Sequence, residues 1–428
     1  MSDSARFSRL DGLRYGLLGL PLSFVALPLY VLLPNHYARA YGVSLAALGG
    51  LLLGVRLFDA LVDPWLGRLS DTLFERSPSA VLRASAIAAC VLALGFVLLF
   101  FPEWLIDPAR HGALLTLAGL LLATTYLGYS ALSIAHQSWG AMLGGDALQR
   151  SRIVGWREGL GLAGVVLASV VPTMAGLGAM VALFVFALAA GCLLWRRAPR
   201  PVHVHVRRVG DMRQPLRRPA FRRLLLVFVL NGIASAVPAT LVLFFVQDRL
   251  QAPAALEPAF LGSYFVFAAA SIPVWLKVVA RFGLAPTWLA GMGLSIAVFA
   301  WAGAMGTGDT WPFLAVCALS GIALGADLVV PSALLAGVIA DAREQADAGA
   351  YFGWWNFATK LNLALAAGLA LPLLGFAGYA PGARDASALN ALVVAYCVLP
   401  CLLKLLAAAA LWFLVIRPSS VSFSKALS

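Results

Sequence analysis

Charged side chains are scarce in this chain of 428 residues. Asp, Glu, Lys and Arg make up 12% of it against 61% hydrophobic residues, and the mean hydropathy is +0.89. A soluble domain of this size could not hide so much apolar surface, so a water-soluble globular protein is excluded. Cysteine chemistry is lacking too. Cys90, Cys192, Cys317, Cys397 and Cys401 lie in apolar runs without a CxxC pair or metal-ligand spacing, and Cys397 and Cys401, which share a helix face, are assigned to packing. His36, His111, His136, His203 and His205 are scattered, and there is no HExxH, nucleotide-binding glycine loop or Ser–His–Asp constellation. These absences argue against an enzyme and against an ATP-driven pump in one chain, and no cofactor is expected.

What the chain has instead is length in apolar runs. A membrane helix needs about 20 mostly apolar residues, and twelve segments qualify: 13–34, 43–66, 82–102, 112–142, 152–175, 177–195, 222–247, 258–279, 285–306, 311–339, 351–377 and 388–416. The predicted fold is therefore an all-α integral membrane protein with twelve transmembrane helices. Its net charge of +12 comes from arginines placed between spans. Arg6, Arg9 and Arg14 precede the first span, Arg68 and Arg76 follow the second, and Arg150 and Arg152 follow the fourth. The connection WRRAPRPVHVHVRRVGDMRQPLRRPAFRR is the most basic stretch of all. An excess of arginine on one side marks the cytoplasmic face, so both termini and this connection are expected there, in a bacterial inner membrane. Its charge is read as topology and attraction to anionic membrane lipids rather than nucleic-acid binding. The connection, 196–221, divides the chain into an N-terminal six-helix bundle, 1–195, and a C-terminal one, 222–428. A faint repeat supports the division: DPWLGRLSDTLFERS follows the second span and IPVWLKVVARFGLAP the eighth.

Ionisable residues inside spans mark candidate chemistry, because a charge at bilayer depth costs at least ~2.5 kcal/mol. Asp59 and Asp63 are four apart and share one face of the second helix, roughly 6 Å from each other, with Arg56 one turn earlier. They are read as an ion or proton site, the structural alternative being an ion pair with Arg56 or a lysine elsewhere. Lys360 lies inside the eleventh span and wants a carboxylate or a water-filled cavity. Arg157, beside Glu158 at the start of the fifth span, is either a site residue or an interfacial anchor. Asp327, deep in the tenth span, is either a second ionisable switch or a structural partner. Trp139, next to His136, Gln137 and Ser138, and Trp355, next to Asn356 and Lys360, stand among polar groups. Each is read either as a platform for a sugar ring or cationic headgroup or as helix packing.

The run RLFDALVDPWLGRLSD resembles the second-helix signature of the glycoside–pentoside–hexuronide cation symporters, the melibiose permease-like branch of the major facilitator superfamily. The matching residues are Arg56, Asp59, Asp63, Pro64, Gly67 and Asp71. The segment GAYFGWWNFATKLNLALA resembles that family's eleventh helix, with Lys360 at its lysine. QRSRIVGWREG puts Arg157 where the family has an arginine at the sugar site, and Tyr15–Gly16 resembles the opening of its first helix.

The resemblance implies two six-helix halves working by alternating access, with a cation or proton bound at Asp59 and Asp63 cooperatively with the solute. It implies substrate contacts among Tyr15, Ser23, Arg56, Trp139, Arg157, Asn356 and Lys360, and gating by Asp71 and Arg76 at the cytoplasmic turn. The departures bear on specificity. Ser23 replaces the family's first-helix aspartate, Ala135 its helix-four aspartate, and Val62 the asparagine of sodium-using members. These changes weaken galactoside recognition, favour protons over sodium as the coupling ion, and, with the apolar run LPLSFVALPLYVLL, leave an amphipathic lipid as the alternative to a sugar. The expected partners are a small organic solute and membrane lipids; the expected assembly is a monomer, and no metal is expected beyond possible sodium at the aspartate pair.

Overall fold

The computed structural model describes residues 7–201, 211–379, 382 and 384–418. The rest of the basic connection, including His203 and His205, and the first six residues, including Arg6, lie outside the described residues. Among those described there is no strand. Twelve helical stretches follow the predicted spans closely: α1 (Arg9–Gly16 continued by Gly19–Tyr30), α2 (Leu45–Arg76), α3 (Pro78–Phe100), α4 (His111–Met142), α5 (Ala147–Pro172), α6 (Met174–Trp195), α7 (Pro219–Arg249), α8 (Glu257–Phe282), α9 (Leu284–Ala302), α10 (Thr310–Asp341), α11 (Ala348–Phe376) and α12 (Ala386–Ile416). Among the described residues nine are long and apolar enough to cross a membrane, and α1, bent by 41° between its two pieces, is a tenth. The remaining two, α2 and α11, carry Asp59, Asp63 and Lys360. This is an integral membrane protein.

Helix ends are set locally. Ser44 and Ser77 cap α2 and α3, each accepting a backbone N–H three residues on. Asp146 does the same for α5. Asp385 caps α12, accepting from Ala388 N at 2.9 Å and Ser387 Oγ at 2.8 Å, and these donors hold its carboxyl below the usual carboxylate range. α5 and α6 run on from one another: Pro172 ends α5, and Gly176, in the first turn of α6, has a φ of 82° that a side-chain-bearing residue rarely adopts.

The chain divides into two compact units, Met1–Gln214 with Ile339–Phe357, and Pro215–Val338 with Ala358–Ser428. In the first unit α1 lies against α5 at glycine-lined crossings. A Cβ on Gly164 would collide with the Leu20 backbone, and one on Gly161 would sit 2.5 Å from Ser23 Oγ. With lipid outside as apolar as leucine, close backbone approach of this kind is what holds membrane helices together. Aromatic packing of Phe96 on Phe184, ring centroids 4.3 Å apart, fills the core behind them. In the second unit α8 meets α10 at Gly321 and Gly325, whose missing side chains make room for the Tyr264 backbone and Ser271. The Phe245 and Tyr396 rings stack at 4.3 Å between α7 and α12.

Candidate functional site

α2 is two-faced, and in the opposite sense to a helix in water. Leu53, Leu57, Leu61, Trp65 and Leu69 recur every four residues and are all exposed. The other face carries Asp59, Asp63, Ser70 and Asp71, all buried. The outer face is mainly apolar and the three aspartates turn inward, as bilayer energetics favour. Asp59 is 3% exposed and Asp63 0%. Ser130 of α4 donates its hydroxyl to Asp59 Oδ1 at 2.7 Å.

Ser130 begins a polar row on α4. Ser133 and Gln137 follow at helical spacing, and Gln137 Nε2 donates to Ser133 Oγ at 2.8 Å and to Asn356 Oδ1 of α11 at 3.3 Å. The first unit thus brings together Asp59, Ser130, Ser133, Gln137 and Asn356: one buried carboxylate beside a line of neutral hydroxyls and amides. Arg56 is exposed on α2, with its guanidinium 3.8 Å from the centroid of the Tyr30 ring.

The C-terminal end of α2 is tied to the start of α11. Asp71 accepts the Gly349 N–H at 2.5 Å and the Ala350 N–H at 2.8 Å, capping the N-terminal turn of α11. Gly67 and Gly349 meet there so closely that neither has room for a Cβ, and Gly353 packs on the backbone of Asp63 and Pro64. Arg68 reaches Asp347 at 3.8 Å. Arg76 is exposed on the last turn of α2.

Other predicted residues have different surroundings. Trp139 is wholly buried. It donates Nε1 to Pro199 O at 2.9 Å and packs on Phe74 and Trp195. Tyr15 and His136 lock onto each other: the phenol donates to His136 O at 3.0 Å, His136 Nε2 contacts Tyr15 O at 2.8 Å, and the rings stack at 4.3 Å. Ser23 lies against Gly161, in the α1–α5 crossing. Arg157 is 9% exposed and paired with Glu158 Oε1 at 2.6 Å and 3.0 Å. Lys360 is half-buried and belongs to the second unit.

Asp327 has a partner that sequence reasoning missed. Lys404 of α12 donates to Asp327 Oδ2 at 2.8 Å and to Asn231 Oδ1 at 2.9 Å. Trp288 and Asn231 donate to Asp327 Oδ1 at 2.8 and 3.1 Å, and Ser235 to Oδ2 at 3.4 Å. A lone lysine inside LPCLLKLLAAAALW carried the same signal that singled out Lys360.

Among the described residues no group of three or more His, Cys, Asp or Glu could hold a metal ion. The family model described as MFS/sugar transport protein matches residues 14–417, nearly the whole chain. The chain belongs to that family. As a member of the major facilitator superfamily it is a secondary transporter, not an enzyme. Its fold agrees with solved structures of the superfamily. A bacterial homologue of the iron transporter ferroportin, outward-facing, is similar at TM-score 0.72 and 18% identity, over 96% of this chain and 100% of that one. A point variant of the Escherichia coli fucose:proton symporter is similar at 0.63 and 16%, over 94% and 98%. The human organic anion transporter MFSD10 is similar at 0.62 and 18%, over 96% and 100%. At such identities the likeness shows the fold alone. No curated protein sequence matches the chain.

Proposed function

We propose that this member of the MFS/sugar transport family is a proton-coupled symporter of a neutral, hydroxylated organic solute, working by alternating access in the manner of the glycoside–pentoside–hexuronide cation symporters. The observation that carries the reading is the burial of Asp59 and Asp63 on the inner face of α2, with Ser130 on Asp59 and the polar row of α4 beside it. Two carboxylates this close repel when both are ionised, and taking up a proton relieves that repulsion. A conformational change can be driven only by such a difference between occupied and empty states. Val62 between the two aspartates offers no side-chain oxygen, which favours a proton over sodium, a hard cation that needs several oxygen ligands.

The solute class follows from the neutral donors and acceptors. Ser133, Gln137 and Asn356 suit hydroxyls, and the Glu158 carboxylate already neutralises Arg157. The apolar first-helix residues that suggested an amphipathic lipid, Leu22, Phe24, Val25 and Leu29, are taken up by the core of the first unit. Asp71, capping α11 from α2, is the gating contact of this reading. The arginines that flank α1 and α2 support cytoplasmic termini in a bacterial inner membrane.

The test is uptake of a panel of labelled hexoses, pentoses and polyols into proteoliposomes. An inward acid gradient should drive accumulation of at least one of them, and an uncoupler should abolish it. Accumulation driven by sodium at constant pH, insensitive to the uncoupler, would assign the coupling ion differently. Transport of lysophospholipid with no uptake of any polyol would replace the solute.

A further inference from the structure

The second unit holds a cavity of about 290 Å³, open along part of its wall at Ala239 and Leu261, that the proposed function does not use. At one end stand Asp327 and Lys404. From there it runs between α7, α8 and α10 past Ser320 and Phe299 to Val242 and Phe260, near the ends of α7 and α8 that meet at the 250–256 connection. Most of its wall is apolar, and its polar equipment is unequal. Asp327 already accepts from four donors, so its acceptor capacity is nearly used. Lys404 has three N–H bonds and two protein acceptors, Asp327 and Asn231, which leaves one donor for the cavity it lines. The Tyr264 and Tyr396 hydroxyls also belong to residues of the wall and make no hydrogen bond to another described residue.

We infer that this cavity is a binding site for an uncharged amphipathic molecule, whose acceptor oxygen takes the remaining Lys404 proton and whose apolar body lies against Val242, Phe260 and Phe299. The chemistry selects against the charged alternatives. An ammonium group would meet Lys404 head on. A carboxylate would set two anions on one buried cation, and a buried charge without a full partner is costly. An apolar chamber with a few convergent polar groups is the usual form of a small-molecule site, and this volume is at its lower end. The inference does not depend on Asp59 and Asp63, which belong to the other unit.

Benzophenone supplies a probe of this kind: one acceptor oxygen on an apolar body. On irradiation its carbonyl oxygen takes a hydrogen atom from a neighbouring C–H, and the two carbon radicals so formed join, so no further reagent is needed. Purified protein in lipid nanodiscs, labelled and mapped by peptide mass spectrometry, should carry the adduct on the cavity walls of α8 or α10. Ser320→Phe and Ala239→Trp each place bulk in the cavity and leave the ion pair intact, and either should cut labelling at least fivefold. 4-(Aminomethyl)benzophenone, a cation at neutral pH, should label at least fivefold less than benzophenone. Asp59→Asn should label like wild type even where it abolishes accumulation. The proposal is overturned if labelling persists in both filled variants, if the cationic analogue labels equally, or if Asp59→Asn removes the adduct.

Discussion

Ser130 donates its hydroxyl to Asp59 at 2.7 Å, joining α4 to the buried face of α2. A hydrogen bond to a buried carboxylate is among the stronger kinds, worth about 1.5–3 kcal/mol. Ser130→Ala should therefore lower the thermal midpoint of the purified protein by several degrees, and Ser130→Thr, which keeps the hydroxyl, should recover most of the loss. Equal midpoints for the alanine and threonine variants would remove Ser130 from the coupling site.

Neutralising the carboxylates separates coupling from passage. Asp59→Asn and Asp63→Asn should each abolish accumulation against a gradient while the protein still inserts and folds. Both readouts come from one preparation: gradient-driven uptake in proteoliposomes and a monodisperse elution profile. If both variants still concentrate solute like wild type under an acid gradient, the aspartate pair does not couple.

Lys360 distinguishes two uses of a cation. If Lys360 serves coupling rather than solute binding, as the resemblance implies, Lys360→Ala should leave solute binding within about twofold and alter the dependence of uptake on the proton gradient. A variant with unchanged gradient dependence and lost solute binding would make Lys360 a direct solute ligand.

Asp71 holds two N–H groups that no other helix residue can satisfy, since the first turn of any helix leaves its donors without intrahelical acceptors. Asp71→Ala should cost about 0.5–2 kcal/mol of local stability. Hydrogen exchange should locate it: amides at 349–352 should exchange several-fold faster, with α4 unchanged. Uniform exchange across the first unit would mean a global rather than a capping effect.

Lys404→Met leaves the half-buried Asp327 with its charge unmatched, and breaking one side of even a fully buried pair costs about 3–5 kcal/mol, which bounds the loss from above. The double variant Asp327→Asn/Lys404→Met keeps an acceptor for Trp288 and Asn231 and removes the charge. It should regain more than half of the lost thermal midpoint, whereas additive losses would show that the pair does not act as one.

Most of the fold was legible in the sequence because each span must satisfy its own backbone and so announces itself by length and hydropathy. The inward face of α2 was legible for the same reason: Asp59, Asp63 and Asp71 are too costly to face lipid. Facing direction was much harder to read where a helix is apolar all round. Trp139 stands among polar neighbours in sequence, and its ring nevertheless turns to Phe74 and Trp195. Tyr15 and His136 are 121 positions apart and close only through the fold. Lys404 was as visible as Lys360, but its partner Asp327 lies on another helix, 77 positions away, and no local pattern pairs them.

The break between α5 and α6 has a practical use. Gly176 turns the chain with nothing within 4 Å of where a side chain would start, and Met174 beside it is 82% exposed. A short epitope inserted after Gly176 would disturb no packed surface. Antibody access to it in intact cells, set against access to a tag at either terminus, would report directly which compartment each end of the first six helices faces.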